Sequence, residues 1–73
     1  MKKVCIFKAW GGSCWLRVLE FKKRPEAPAV YRVMMGRCLL DGVNEFEEPG
    51  VAIDKALRLA RLDAMSKWEG GLR

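Results

Sequence analysis

The chain contains no histidine and no threonine, and its only serines are Ser13 and Ser66. Without histidine it lacks the usual general base near neutral pH and the usual partner of a nucleophilic serine or cysteine. Neither serine stands in a recognisable motif that would supply another base. Cys5, Cys14 and Cys38 are odd in number and show no CxxC spacing. That pattern signals neither a disulfide framework nor a common zinc site, so the cysteines read as small apolar residues in or near strands. Paired carboxylates remain available for acid–base work, but they cluster where a helix should begin and a structural reason suffices there. The expectation is a protein that is not an enzyme, with no cofactor and no metal.

Long apolar runs are also missing. The basic start Met1-Lys2-Lys3 leads into a patterned segment rather than a signal sequence, so no membrane association and a cytoplasmic location are expected. Seventy-three residues sit at the low end of what one unstapled core requires, which makes residues 1–73 a single domain. About half the chain is apolar and a third charged, with three Trp, three Phe and one Tyr. That is the balance of a folded globular chain rather than a disordered one.

Charge is unevenly spread. The net charge is +5, yet residues 1–40 hold nine Lys or Arg against Glu20 and Glu26. Residues 41–54 then hold Asp41, Glu45, Glu47, Glu48 and Asp54 with no basic residue. Such segregation suggests an anionic partner for one surface, and the plainer alternative is that the excess keeps a small domain soluble.

Residues 3–10 are rich in β-formers and end at Gly11-Gly12-Ser13, a turn signal before a second run from Cys14 to Lys23. Two prolines, Pro25 and Pro28, break the pattern, and a third strand-like run extends from Ala29 to Leu40. Asp41-Gly42 is a further turn, after which Val43 to Phe46 reads either as a short fourth strand or as the approach to a helix. Glu47-Glu48-Pro49-Gly50 carries helix-start signals, with carboxylates at the positive end of the helix dipole and Pro in the first turn. The helix should run to Trp68 or Glu69 and stop at Gly70-Gly71. The fold expected is α+β: a three- or four-stranded antiparallel β-meander packed against one C-terminal α-helix.

At about 100° per residue, Ile53, Ala56, Leu57, Ala60, Ala64 and Trp68 share the helix's core face. Leu59, Leu62 and Met65 fall outside its centre. Arg58, Leu62 and Met65 are candidates for self-association, or are simply ordinary exposed residues.

If Trp10 faces Trp15 in the first hairpin, then Lys8 faces Arg17, Ile6 faces Leu19 and Val4 faces Phe21 on one side of the sheet. The other side carries Cys5, Phe7, Ala9, Leu16 and Val18, the better seat for an alanine-lined helix. One register of the third strand adds Tyr31, Val33, Met35 and Arg37 to the Trp side, and a slip by one residue substitutes Arg32 and its neighbours. Cations interleaved with aromatic rings suit phosphates and stacked bases. The candidate binding residues are therefore Lys8, Trp10, Trp15, Arg17, Tyr31, Arg32 and Arg37. Three strands and a helix in a small basic domain are similar in architecture to the sheet-reading DNA-binding domains of some integrases and plant transcription factors. That resemblance is one of architecture, which does not fix function.

The leading expectation is a non-enzymatic nucleic-acid-binding module. The alternative is a small protein-binding regulator or inhibitor, of the phage or mobile-element accessory type, gripping an acidic protein surface on a larger complex. A homodimer that buries Val4, Ile6, Leu19 and Phe21 is a third reading of the same face.

Overall fold

The computed structural model describes residues 2–37, 40 and 42–71, with side chains described as far as residue 66. The chain forms β1 (Val4–Trp10), β2 (Trp15–Phe21), β3 (Val30–Met35), β4 (Glu45–Phe46) and α1 (Pro49–Gly71). The strands make one antiparallel sheet in the order β1-β2-β3-β4, and the helix lies across one side of it. The expected α+β meander with a C-terminal helix is what the chain adopts, in its four-stranded form.

The turns sit where the backbone needs glycine. Between β1 and β2, Gly11 N–H donates to the Cys14 carbonyl at 2.9 Å, and Gly12 takes a φ of 109°. Gly36, at φ 60°, ends β3 early, well short of the Leu40 expected from composition. An L side chain is strained at these angles, which makes glycine the natural occupant.

The first hairpin pairs Trp10 with Trp15, Ala9 with Leu16, Lys8 with Arg17 and Phe7 with Val18. A β-bulge between Cys5 and Phe7 then shifts the ladder, so Cys5 meets Leu19 and Val4 meets Glu20. The expected pairs of Ile6 with Leu19 and Val4 with Phe21 are not formed. Ile6 is the extra residue, and it moves Cys5 to the Trp side. The Cys5 thiol donates to the Phe7 carbonyl across the bulge at 3.3 Å.

Leu16, Val18 and Val33 are fully buried under Ala52, Ala56 and Ala60, with Phe7, Ala9, Met35, Phe46, Ile53 and Leu59 packed around them. Three alanines at four-residue spacing let the helix backbone approach the sheet closely, and the sheet supplies the bulk. Leu57, expected in the core, is instead 37% exposed, while Leu59 packs against it. The stripe is centred on the alanines rather than on the larger side chains. Ala64 is half-buried, and the side chain of Trp68 lies outside the described residues.

Glu48 precedes the helix, and its carbonyl accepts from Ala52 N–H at 3.4 Å, with Pro49 in the first helical position as expected. The helix continues through Gly71, slightly past the expected stop. Its twenty-three residues span about 34 Å, against about 23 Å for a seven-residue strand. The molecule is elongated, with a long axis of 52 Å.

One contact ties the helix to the hairpin tip. Asp63 accepts from the Ser13 backbone N–H at 2.9 Å and from the Ser13 hydroxyl at 2.7 Å. These bonds to Ser13 hold the Asp63 carboxyl below its usual range. The fit is tight: a Cβ on Gly11 would meet Asp63 Oδ2 at 2.8 Å and Leu16 Cδ2 at 3.0 Å.

Candidate nucleic-acid interface

Because α1 covers one side of the sheet, the alternation of β2 sends Leu16, Val18 and Glu20 toward it and Trp15, Arg17, Leu19 and Phe21 away from it. Cross-strand partners share a side, so Trp10 and Lys8 from β1 join this open face, as do Val30, Arg32 and Met34 from β3. Glu45 joins it opposite Arg32.

The face has two unlike ends. At the hairpin-tip end, the Trp10 and Trp15 rings meet edge-on, 5.3 Å between centroids and 64° between planes. Lys8 Nζ lies 4.7 Å from the Trp15 ring centroid, a cation–π contact. Arg17 donates to the Gly36 carbonyl at 3.0 Å and so holds the turn after β3 beside the tryptophans. With Arg37 and Ser13, these residues line a shallow open hollow of about 380 Å³. Three of the lining side chains are cationic and none is a carboxylate.

At the far end the cations are engaged. Arg32 Nε donates to Glu45 Oε1 at 3.1 Å, a second guanidinium N–H reaches the same oxygen, and Lys23 Nζ lies 3.0 Å from Oε2. Arg32, followed by Lys23, holds the Glu45 carboxyl below its ordinary value. Arg32 and Lys3 also lie over the Phe21 ring, at 5.1 and 5.5 Å from its centroid. Phe21 is therefore nearly buried although it belongs to the open face.

No family model, curated protein or solved structure matches this chain. Function therefore has to be argued from the site itself.

Of the seven binding residues expected from sequence, the structure gathers Lys8, Trp10, Trp15, Arg17 and Arg37 in the hollow. Arg37 arrives from the turn after Met35 and not from the strand. Arg32 shares the open face but is committed to Glu45 and Phe21. Tyr31 is the correction. It pairs with Glu20 and packs against the core on the helix side, together with Val33 and Met35, so the slipped register is the one adopted. Its hydrogen bond to Glu20 raises the phenol pKa above the ordinary value. The physical reason is pairing: this register places Arg32 opposite Glu45 and Tyr31 opposite Glu20, whereas the other would turn Arg32 into the helix–sheet core.

Phe21 lies on the face expected for it, while Lys3, Lys23 and Glu45 belong to the same face and were not singled out from sequence. Glu45 had a usable signal, because a carboxylate in a short strand beside Arg32 is a cross-strand ion pair. Asp63 had none, since fifty residues separate it from Ser13. Arg58, Leu62 and Met65 are exposed on the outer side of the helix, with Arg58 3.1 Å from Asp54. Among the described residues, no group of three His, Cys, Asp or Glu side chains is placed to hold a metal ion, and no helix is long and apolar enough to cross a membrane.

Proposed function

We propose that this protein is a non-enzymatic nucleic-acid-binding module that works through the open sheet face. The observation that carries the reading is the sorting of charge between the two sides of the sheet. Lys3, Lys8, Arg17, Lys23, Arg32 and Arg37 border the open face, and the carboxylate of Glu45 there is shared by Arg32 and Lys23. Other carboxylates are turned elsewhere: Glu20 and Asp63 toward the helix side, Asp54 to the outer helix surface. A cationic face bearing two exposed indoles attracts a polyanion and offers its bases a flat surface.

The test is a titration against labelled oligonucleotides at two salt concentrations. Neutralising about four phosphates costs well over tenfold in affinity between about 50 and 200 mM salt. A smaller loss, or no binding at the lower salt, would refute the reading.

The outer surface of the helix supports a second, protein-facing reading. Leu57, Leu62 and Met65 are exposed there beside Arg58, and a regulator or inhibitor that covers a larger complex, or a homodimer, would use such a surface. Light scattering of wild type and Leu62→Asp tests self-association; a monomer in both would remove the dimer from consideration.

A further inference from the structure

We infer that the hollow at the hairpin tip takes single-stranded nucleic acid, with bases stacked on Trp10 and Trp15 and little preference for sequence. This rests on the nucleic-acid reading above and narrows it to one form of the ligand.

The first argument is what the hollow offers. Trp10 is 55% exposed and Trp15 44% exposed. Their edge-on arrangement keeps the two rings from covering each other face to face, so aromatic surface remains for a third ring. Base faces are accessible in a single strand and hidden inside the stack of a duplex, where only base edges reach the grooves.

The second argument is what the hollow lacks. Base edges are read by Asn, Gln, Ser, Thr, Arg and Lys. The chain has no Gln, Thr or His, and its one Asn, Asn44, donates to the Leu40 and Gly42 carbonyls by the β3–β4 connection. Ser13 gives its hydroxyl proton to Asp63, and Arg17 gives one N–H to Gly36. A site with flat rings and cations, whose lining holds no side-chain amide and whose one hydroxyl is engaged by Asp63, is suited to stacking plus backbone attraction.

The third argument is charge. Lys8 and Arg17 are direct cross-strand neighbours, an opposition of like charges that a phosphate between them relieves. Arg37 flanks the same hollow, giving a second place for the backbone to run.

The experiment measures binding of oligo-dT, oligo-U and a mixed-sequence DNA strand of about twelve nucleotides, and of the mixed strand as a duplex. Fluorescence is read in a Trp68→Phe background so that it reports Trp10 and Trp15. The expected result is at least tenfold tighter binding to single strands than to duplex, agreement within about threefold among the single strands, and quenching of the indole emission. Trp10→Ala should weaken binding about tenfold and Trp10→Phe should recover most of the loss, with circular dichroism confirming that both variants are folded. Equal or tighter binding to duplex would overturn this inference while leaving the nucleic-acid reading intact. Absence of binding to every oligonucleotide at low salt would overturn both. Tight single-strand binding without quenching would also overturn it, independently of any variant.

Discussion

Trp15 and Leu16 are adjacent in sequence and point to opposite sides of the sheet, so replacing each by alanine asks the two faces different questions. Leu16 is fully buried beneath the helix alanines. Large-to-small changes at such sites cost about 2–5 kcal/mol. Ala52, Ala56 and Ala60 are too short to fill the space, which favours a figure of about 3 kcal/mol or more. For 73 residues the unfolding entropy is about 0.15 kcal/mol/K at the midpoint, so Leu16→Ala should lower Tm by roughly 20 °C. Trp15→Ala instead removes an edge-on ring contact worth about 0.5–1.5 kcal/mol and the Lys8 cation–π contact, about 0.5–1 kcal/mol. Its Tm should fall by roughly 10 °C. Affinity should move the other way: at a temperature where both are folded, Trp15→Ala should lose about fivefold or more and Leu16→Ala very little. Thermal melts by circular dichroism, with an oligonucleotide titration at 10 °C, provide both readouts. A Trp15→Ala protein that melts below Leu16→Ala, or a folded Leu16→Ala protein with the weaker binding, would show that the two faces have been assigned the wrong way round.

Placing a charge in the helix–sheet contact should be more severe, and Ala56→Glu, at a fully buried position, should cost about 3 kcal/mol or more and abolish a cooperative melt, whereas Leu57→Glu should melt near wild type. Asp63 has a folded-state pKa below its ordinary value. Its stabilising contribution is therefore complete above the ordinary carboxylate range and disappears as pH falls through the folded value; an acid titration of Asp63→Asn against wild type should show the variants differing at pH 7 and converging in acid, and a constant difference would refute the link. Glu45→Gln releases Arg32 and Lys23 from their shared carboxylate, so binding to a single strand should tighten at low salt and its salt dependence should steepen; unchanged binding would mean the far end of the face stays clear of the ligand. Gly11→Ala should weaken the latch, because the new Cβ meets Asp63 and Leu16, and hydrogen exchange should quicken first at Ser13 and Cys14.

Much of this layout was legible in the sequence, for reasons that differ from one element to the next. Gly11-Gly12-Ser13 between two β-rich runs locates the hairpin, and the turn's closing pair, Trp10 with Trp15, fixes Lys8 against Arg17. Helix-start chemistry at Pro49 is equally local. The bulge at Ile6 was not legible, since nothing in Val4-Cys5-Ile6-Phe7 distinguishes the residue to be left unpaired. The parity of β3 was not legible either. Val30-Tyr31-Arg32-Val33-Met34-Met35 has no polar–apolar alternation, and its facing is decided by Glu20 and Glu45 on the neighbouring strands. Leu57 and Leu59 exchanged roles because the helix's angular position follows its small residues, whereas a periodicity argument follows its large ones. Arg37 reached the site through a turn at Gly36 that the apolar run around it disguised.

The bulge has a further consequence for the edges of the sheet. β1 and β4 are the outermost strands, and a long flat outer strand invites pairing with another chain. β4 presents only two residues. β1 is seven residues long, but the bulge interrupts its regular ladder partway along, and Lys3 and Lys8 bracket the interruption with positive charge. A second molecule approaching this edge finds no long regular ladder to extend. The irregularity that the sequence conceals thus works against edge-to-edge extension of the sheet by a further strand.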